Sequence, residues 1–134
     1  MTPERGFVAF LALTLVLLAA VVWTGLGAQR RIHLPCVAAT LAALGTTIFF
    51  AEQMGDHYDL ASAGWITPVH LWLAKATTLL YLAPLATGIL TIRDARWRPR
   101  HRVAAFTVLA LTVATAATGT WMLLAAERLP VTGG

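Results

Sequence analysis

Four apolar stretches, residues 7–26, 35–54, 68–92 and 103–126, each run for at least about 20 residues, the length at which a helix crosses a hydrocarbon core of about 30 Å. No other feature restricts the fold as much. The links between them and the two tails are short, so a soluble domain has no room. The 134 residues therefore predict one transmembrane domain over 1–134, an all-α integral membrane four-helix bundle. Composition agrees: 58% of the residues are hydrophobic and 12% charged, with a mean hydropathy of +0.72. The first stretch has the flanks of a signal peptide, Arg5 before it and "GLGAQ" after it. Its apolar length of about 20 exceeds a usual signal core and three more spans follow, so it is expected to remain as a helix.

The net charge of +4 is unevenly placed. Arg30 and Arg31 lie in the first link, and Arg93, Arg96, Arg98, Arg100 and Arg102 lie in or beside the third, against only Arg5 and Arg128 near the spans on the other side. Arginine in short loops stays in the cytoplasm, which predicts cytoplasmic first and third links and external termini. The second link, "GDHYDLASAG", is then external. "RDARWRPRHR" has no folded platform for nucleic acid and its charge is accounted for by topology, so the expected surroundings are a lipid bilayer and no nucleic acid. Cys36 is the single cysteine, which excludes an internal disulfide.

Pro35, Pro68 and Pro99 stand where three helices are expected to begin, a position at which a missing N–H costs nothing. Thr67 is the expected N-cap of the third helix. "PVH" and "PRH" then put His70 and His101 in first turns, with His33 just before helix two. The partial positive charge of a helix N-terminus favours a neutral imidazole, the form that a metal or haem iron takes. Antiparallel threading brings His33 and His101 to the cytoplasmic edge and His57 and His70 to the external edge, one histidine pair per face. This arrangement resembles the logic of dihaem membrane cytochromes, in which neighbouring helices supply two imidazoles to each haem. The plainer reading is that histidine is tolerated at a membrane interface and that helix ends offer many places for one. The edge positions favour a shallow metal site or transient holding of haem or copper over a deeply buried haem.

Lys75 lies about 7.5 Å deeper than His70 along the third span. An unpaired ammonium there must face the interior, snorkel or meet a carboxylate, and Glu52 is the acid placed to form an intramembrane ion pair with it. Helix two carries His33, Thr40, Thr47 and Met54 at a spacing of seven, with Cys36, Ala43, Phe50 and His57 beside them, an interior seam if the helix persists to His57. Met54, His57 and His70 would make a soft external site suited to copper, or Met54 fills a gap. The last helix, "TVLALTVATAATGTWMLL", is dense in small residues that permit close packing. Trp23, Trp65, Trp97 and Trp121 suit the interfacial belt. No Ser/His/Asp set, paired acids or phosphate loop is present, so no enzyme activity is expected.

Several of these residues together form a pattern. Arg31 and His33 open one helix, His57 stands near its outer end, His70 opens the next, Pro84 and Leu85 lie inside it, and His101 and Arg102 are followed seventeen positions after the histidine by Thr118 and Gly119. Over most of the chain this resembles the family of small bacterial four-helix membrane proteins that includes the cytochrome oxidase assembly factor CtaM. The resemblance implies a protein of the bacterial cytoplasmic (inner) membrane, needed by a haem-copper respiratory oxidase, whose histidines handle haem or copper. The expected function is therefore handling of haem or metal for such an oxidase. The alternatives are a structural accessory subunit of a larger membrane protein complex and a small dihaem b-type cytochrome.

Overall fold

A computed structural model describes residues 1–130. Among them are four helical spans long and apolar enough to cross a membrane, Pro3–Leu26, Arg30–Gly55, Ile66–Arg93 and Ala95–Ala125. Helix is the form such stretches must take in lipid, because no water is present to satisfy the peptide groups. The elements are α1 (Pro3–Leu26), α2 (Arg30–Gly55), α3 (Ile66–Leu80), α4 (Leu82–Arg93) and α5 (Arg98–Ala125), with single 3₁₀ turns at Leu60–Ala63 and Ala95–Trp97 and two-residue strands at Tyr58–Asp59 and Glu127–Arg128. The all-α class and the four-helix, multi-pass organisation read from the sequence are thus as expected. The chain falls into two compact units, Met1–Asp59 with the segment from Arg128, and Leu60–Glu127.

The first unit is the antiparallel pair α1 and α2. Thr2 caps α1, its hydroxyl accepting from Arg5 N. The helix ends in a paired closure: Gln29 N–H bonds the Thr24 carbonyl at 2.9 Å and Ala28 N–H bonds the Gly25 carbonyl at 3.2 Å. That closure needs a left-handed residue, here Ala28 at φ 52°. The chain then turns directly into α2. The helices meet through Thr14 and Thr47, hydroxyl oxygens 3.2 Å apart, with Leu18, Ala43 and Met54 buried beside them. Phe50 stacks on Phe10 with ring centroids 5.8 Å apart. At the far end Arg128 reaches Glu4 at 2.7 Å and its Nε donates to the Tyr58 hydroxyl at 3.1 Å.

The second unit pairs α3 and α4 with α5. The third span is broken rather than continuous: α3 stops at Leu80, α4 starts at Leu82, and Tyr81 joins them in a helical conformation. Pro84 accounts for the break, since it lacks the N–H that would bond the Leu80 carbonyl and its ring crowds that oxygen. Tyr81 is tied across to α5 by a 2.7 Å bond between its hydroxyl and Thr112 Oγ1. Thr77 and Thr115 meet the same way at 3.0 Å. Thr112 and Thr115 each donate to the carbonyl four residues back, at 2.7 Å. A threonine in lipid thereby satisfies its proton on its own helix and keeps an oxygen lone pair for its neighbour.

Several expected helix starts differ. α2 begins at Arg30, so Pro35 lies inside it, and His33 belongs to its first turn rather than preceding it. α3 begins at Ile66 with no side-chain cap. Thr67 is therefore not the N-cap; its hydroxyl donates back to the Leu60 carbonyl. Pro68 is the third helical residue, where its missing N–H still costs nothing. Only Pro99 keeps a place at the very start of its helix, a role that Pro3 shares in α1.

Candidate functional site

Three of the four histidines are held in one and the same way, each on a Thr-Gly pair of a facing helix in its own unit. In the first unit His33, in the opening turn of α2, has Nδ1 3.2 Å from Thr24 Oγ1 and 3.1 Å from the Val21 carbonyl. In the second unit His101, in the opening turn of α5, has Nδ1 3.2 Å from Thr87 Oγ1 on α4. His70 on α3 has Nδ1 3.1 Å from Thr118 Oγ1 on α5 and a hydrogen bond with the backbone of Thr115. The threonine protons are already committed: Thr24 donates to the Ala20 carbonyl at 2.7 Å, Thr87 to that of Ala83 at 2.7 Å and Thr118 to that of Ala114 at 2.9 Å. Each hydroxyl oxygen can therefore only accept, and Nδ1 carries the proton.

The glycine of each pair makes the approach possible. A Cβ at Gly25 would lie 3.1 Å from His33 Cε1, one at Gly88 3.2 Å from His101 Cε1, and one at Gly119 2.7 Å from His70 Cε1. The imidazole thus lies against bare backbone, with its edge fixed by the neighbouring threonine. All three rings are half-buried. With the proton on Nδ1, Nε2 holds the lone pair, and both side-chain hydrogen bonds of the His33 ring run through Nδ1. An imidazole with Nδ1–H held by an oxygen and Nε2 bare is the form that coordinates a metal, the held N–H setting ring orientation and raising ligand basicity.

The spacing behind this arrangement repeats. His70 to Thr87 and His101 to Thr118 span the same seventeen positions, each threonine followed by glycine. Two antiparallel helices of this kind place the histidine of each against the Thr-Gly of the other. The spacing from His101 to Thr118 and Gly119 was readable in the sequence and that from His70 was not used: the Thr-Gly pairs at 24–25 and 87–88 were the missed signal. In the first unit the pattern is half complete. Thr24 and Gly25 receive His33, but seventeen positions beyond His33 stands Phe50 followed by Ala51. Phe50 packs on Gly6, where an added Cβ would fall 2.6 Å from the ring.

The other expected site residues are placed differently. His57 lies beyond the end of α2, is exposed, and binds through Nδ1 to the Gln53 carbonyl of its own chain segment at 2.9 Å. Met54 is 6% exposed and part of the first unit's core, which favours the gap-filling reading over a soft copper site with His57. Thr40, Ala43, Thr47 and Met54 are the buried residues of α2, so the seven-residue seam is real as packing but ends before His57. Glu52 and Lys75 are both exposed, and neither forms a salt bridge among the described residues. The long stem of Lys75 can carry its ammonium outward along the helix surface instead. Among the described residues no group of three or more His, Cys, Asp or Glu is gathered to hold a metal ion. No protein-family model, curated protein or solved structure matches the chain.

Proposed function

We propose that this chain is a haem-handling protein of the bacterial cytoplasmic membrane, serving a haem-copper respiratory oxidase, with both termini external. One observation supports the haem reading: the Nδ1 atoms of His33 and His70 lie against threonine oxygens whose own protons are committed, which places the lone pair on Nε2. Haem iron needs one or two such imidazoles from the protein, since the porphyrin supplies the other four nitrogens. A bare copper or zinc ion needs a cluster of three or four donors. The donor set here suits the first requirement, and a copper site is the weaker alternative.

When bound, haem supplies an exchangeable cargo and a one-electron couple. The chain's own part is to orient each imidazole, hold the Nδ1 proton on a threonine oxygen, and surround the ring with apolar helix. The oxidase as partner rests on the resemblance carried by His33, His57, His70, His101 and Thr118-Gly119, and the arginine-rich links support the orientation. The same histidine anchors favour a second reading, a small b-type cytochrome that keeps its haem.

An absorption spectrum of the purified protein, with metal analysis on the same sample and titration with hemin, tests both. The expected result is a Soret band, present on isolation or built up by hemin, and reduced in His33→Ala, His70→Ala and His101→Ala. Haem lost on dilution supports handling; haem retained through purification supports the cytochrome. Neither haem nor hemin uptake, with a large complex co-purifying, would leave a structural accessory subunit and overturn the proposal.

A further inference from the structure

Both units are built on one hairpin plan, which makes the first a measure for the second. Thr14 precedes Thr24 by ten positions and Thr77 precedes Thr87 by ten; Thr47 follows His33 by fourteen and Thr115 follows His101 by fourteen. The corresponding hydroxyls meet within each unit, Thr14 with Thr47 at 3.2 Å and Thr77 with Thr115 at 3.0 Å. Met54 and Met122, each seven positions further on, are both buried. The spans thus keep register and the links do not. His33 follows Gly25 by eight positions, whereas His101 follows Gly88 by thirteen. The added length holds the 3₁₀ turn Ala95–Trp97, and the arginines rise from Arg30 and Arg31 to Arg93, Arg96, Arg98, Arg100 and Arg102. In the orientation proposed above, two arginines suffice to retain the first link in the cytoplasm. Retention accounts for neither the added length nor the further charges.

We propose that residues 93–102 bind the headgroups of anionic phospholipids. All five arginines are exposed, and among the described residues none of their guanidinium groups is in an ion pair. The one acid of the link, Asp94, is engaged by the backbone, its carboxylate accepting from Arg96 N at 2.9 Å. Arg100 lies over the Trp97 ring at 4.7 Å, and Arg98 and Arg102 stand one turn apart on the same face of α5. A guanidinium fork matches phosphate oxygens and keeps its charge throughout. Depth selects the source of the phosphate. The spans Ile66–Arg93 and Ala95–Ala125 meet at this link, and tryptophan suits the headgroup level, so the arginines stand where the phosphates of a bilayer stand. The ammonium of phosphatidylcholine offsets its own phosphate, whereas an anionic lipid keeps a net charge for the cluster to meet. Arginine clusters of this size beside a span select anionic lipid in that way.

Native mass spectrometry of the full-length protein in a non-ionic detergent, titrated with phosphatidylglycerol or with phosphatidylcholine, provides the test. Phosphatidylglycerol should bind about tenfold more tightly than phosphatidylcholine. Arg96→Gln combined with Arg98→Gln and Arg102→Gln should lower that affinity by about tenfold or more, while Arg30→Gln with Arg31→Gln should leave it unchanged. Binding in detergent is read without a membrane to orient the chain, so an effect of these arginines on insertion does not enter it. Should the triple variant not accumulate, Arg96→Gln alone, placed between the two helices, should cost about threefold. Equal binding of the two lipids overturns the proposal, as does an equal loss in the first-link variant, because charge would then act without regard to place. Displacement of phosphatidylglycerol by an equimolar amount of glycerol 3-phosphate or of a single-stranded oligonucleotide also overturns it, since the surface would then serve a soluble phosphate ester or a nucleic acid.

Discussion

At each of the three anchored histidines a threonine hydroxyl does two things, and the order of donation decides what the ring can do. Thr118 gives its proton to the Ala114 carbonyl at 2.9 Å and receives that of His70 Nδ1 at 3.1 Å. Replacing it by valine keeps the shape and removes the acceptor. Loss of such a supporting contact lowers metal affinity by about 10–100-fold in comparable sites, so Thr118→Val should weaken hemin binding at His70 by about tenfold or more, and Thr118→Ser should restore most of it. Equal affinity in all three proteins, measured by hemin titration, would show that the contact only packs the helices. The histidines themselves were legible in the sequence, because histidine in an apolar chain stands out. Their true partners were not, since threonine and glycine are common in membrane helices and look like packing residues until a ring is seen against them. Met54 was legible as a seam residue and not as a non-ligand, because spacing gives the face of a helix but not what covers it. Glu52 and Lys75 were joined by charge alone, and both sit on exposed faces.

The four spans were readable from apolar length, whereas their boundaries were not, because Pro35, Pro68 and Pro99 were each read as a start signal. A proline can also stand within a helix where one carbonyl is left unpaired, as Pro35 does, or interrupt a span, as Pro84 does between α3 and α4. The turn between α1 and α2 contains the one described non-glycine residue at positive φ, Ala28 at 52°. A left-handed alanine costs about 1 kcal/mol that glycine does not. Ala28→Gly should therefore stabilise the protein by about that amount against denaturant in detergent, and no gain would mean that the closure through Thr24 and Gly25 is held by other forces. The same Thr-Gly pair contacts His33, so this turn also sets the ring's seat. Substitution of the glycines separates the three seats by tightness. At Gly119 a Cβ would come within 2.7 Å of His70, against 3.1 and 3.2 Å for Gly25 and Gly88. Gly119→Ala should displace its imidazole and remove haem at His70, while Gly25→Ala and Gly88→Ala shift their rings by a few tenths of an ångström and keep most binding. A larger loss for Gly25→Ala than for Gly119→Ala in hemin titrations would contradict this ordering.

At the scale of the whole molecule, charge and the histidine pattern make one joint statement about the membrane. Arg30 and Arg31 flank the turn near His33, and Arg93, Arg96, Arg98, Arg100 and Arg102 surround the link that leads to His101. Positive residues in short links are retained in the cytoplasm. The face with two anchored imidazoles should then be cytoplasmic, and the face with His70 alone should be external. Arg128 does not weigh against this, since it is tied to Glu4 at 2.7 Å and its charge is locally balanced. Cys36 replaced by serine gives a background for single cysteines at Arg96 and Asp59, both in links rather than spans and both exposed. A membrane-impermeant maleimide added to intact cells should label the cysteine at position 59 and leave that at position 96 untouched until the membrane is opened. The reverse result would invert the chain and put His70 on the cytoplasmic side. Labelling of both from outside would mean that the third span does not cross, and the alternation that separates His70 from His33 and His101 would be lost with it. Topology thus decides more than orientation: it fixes on which side of the membrane an exchangeable haem would be offered.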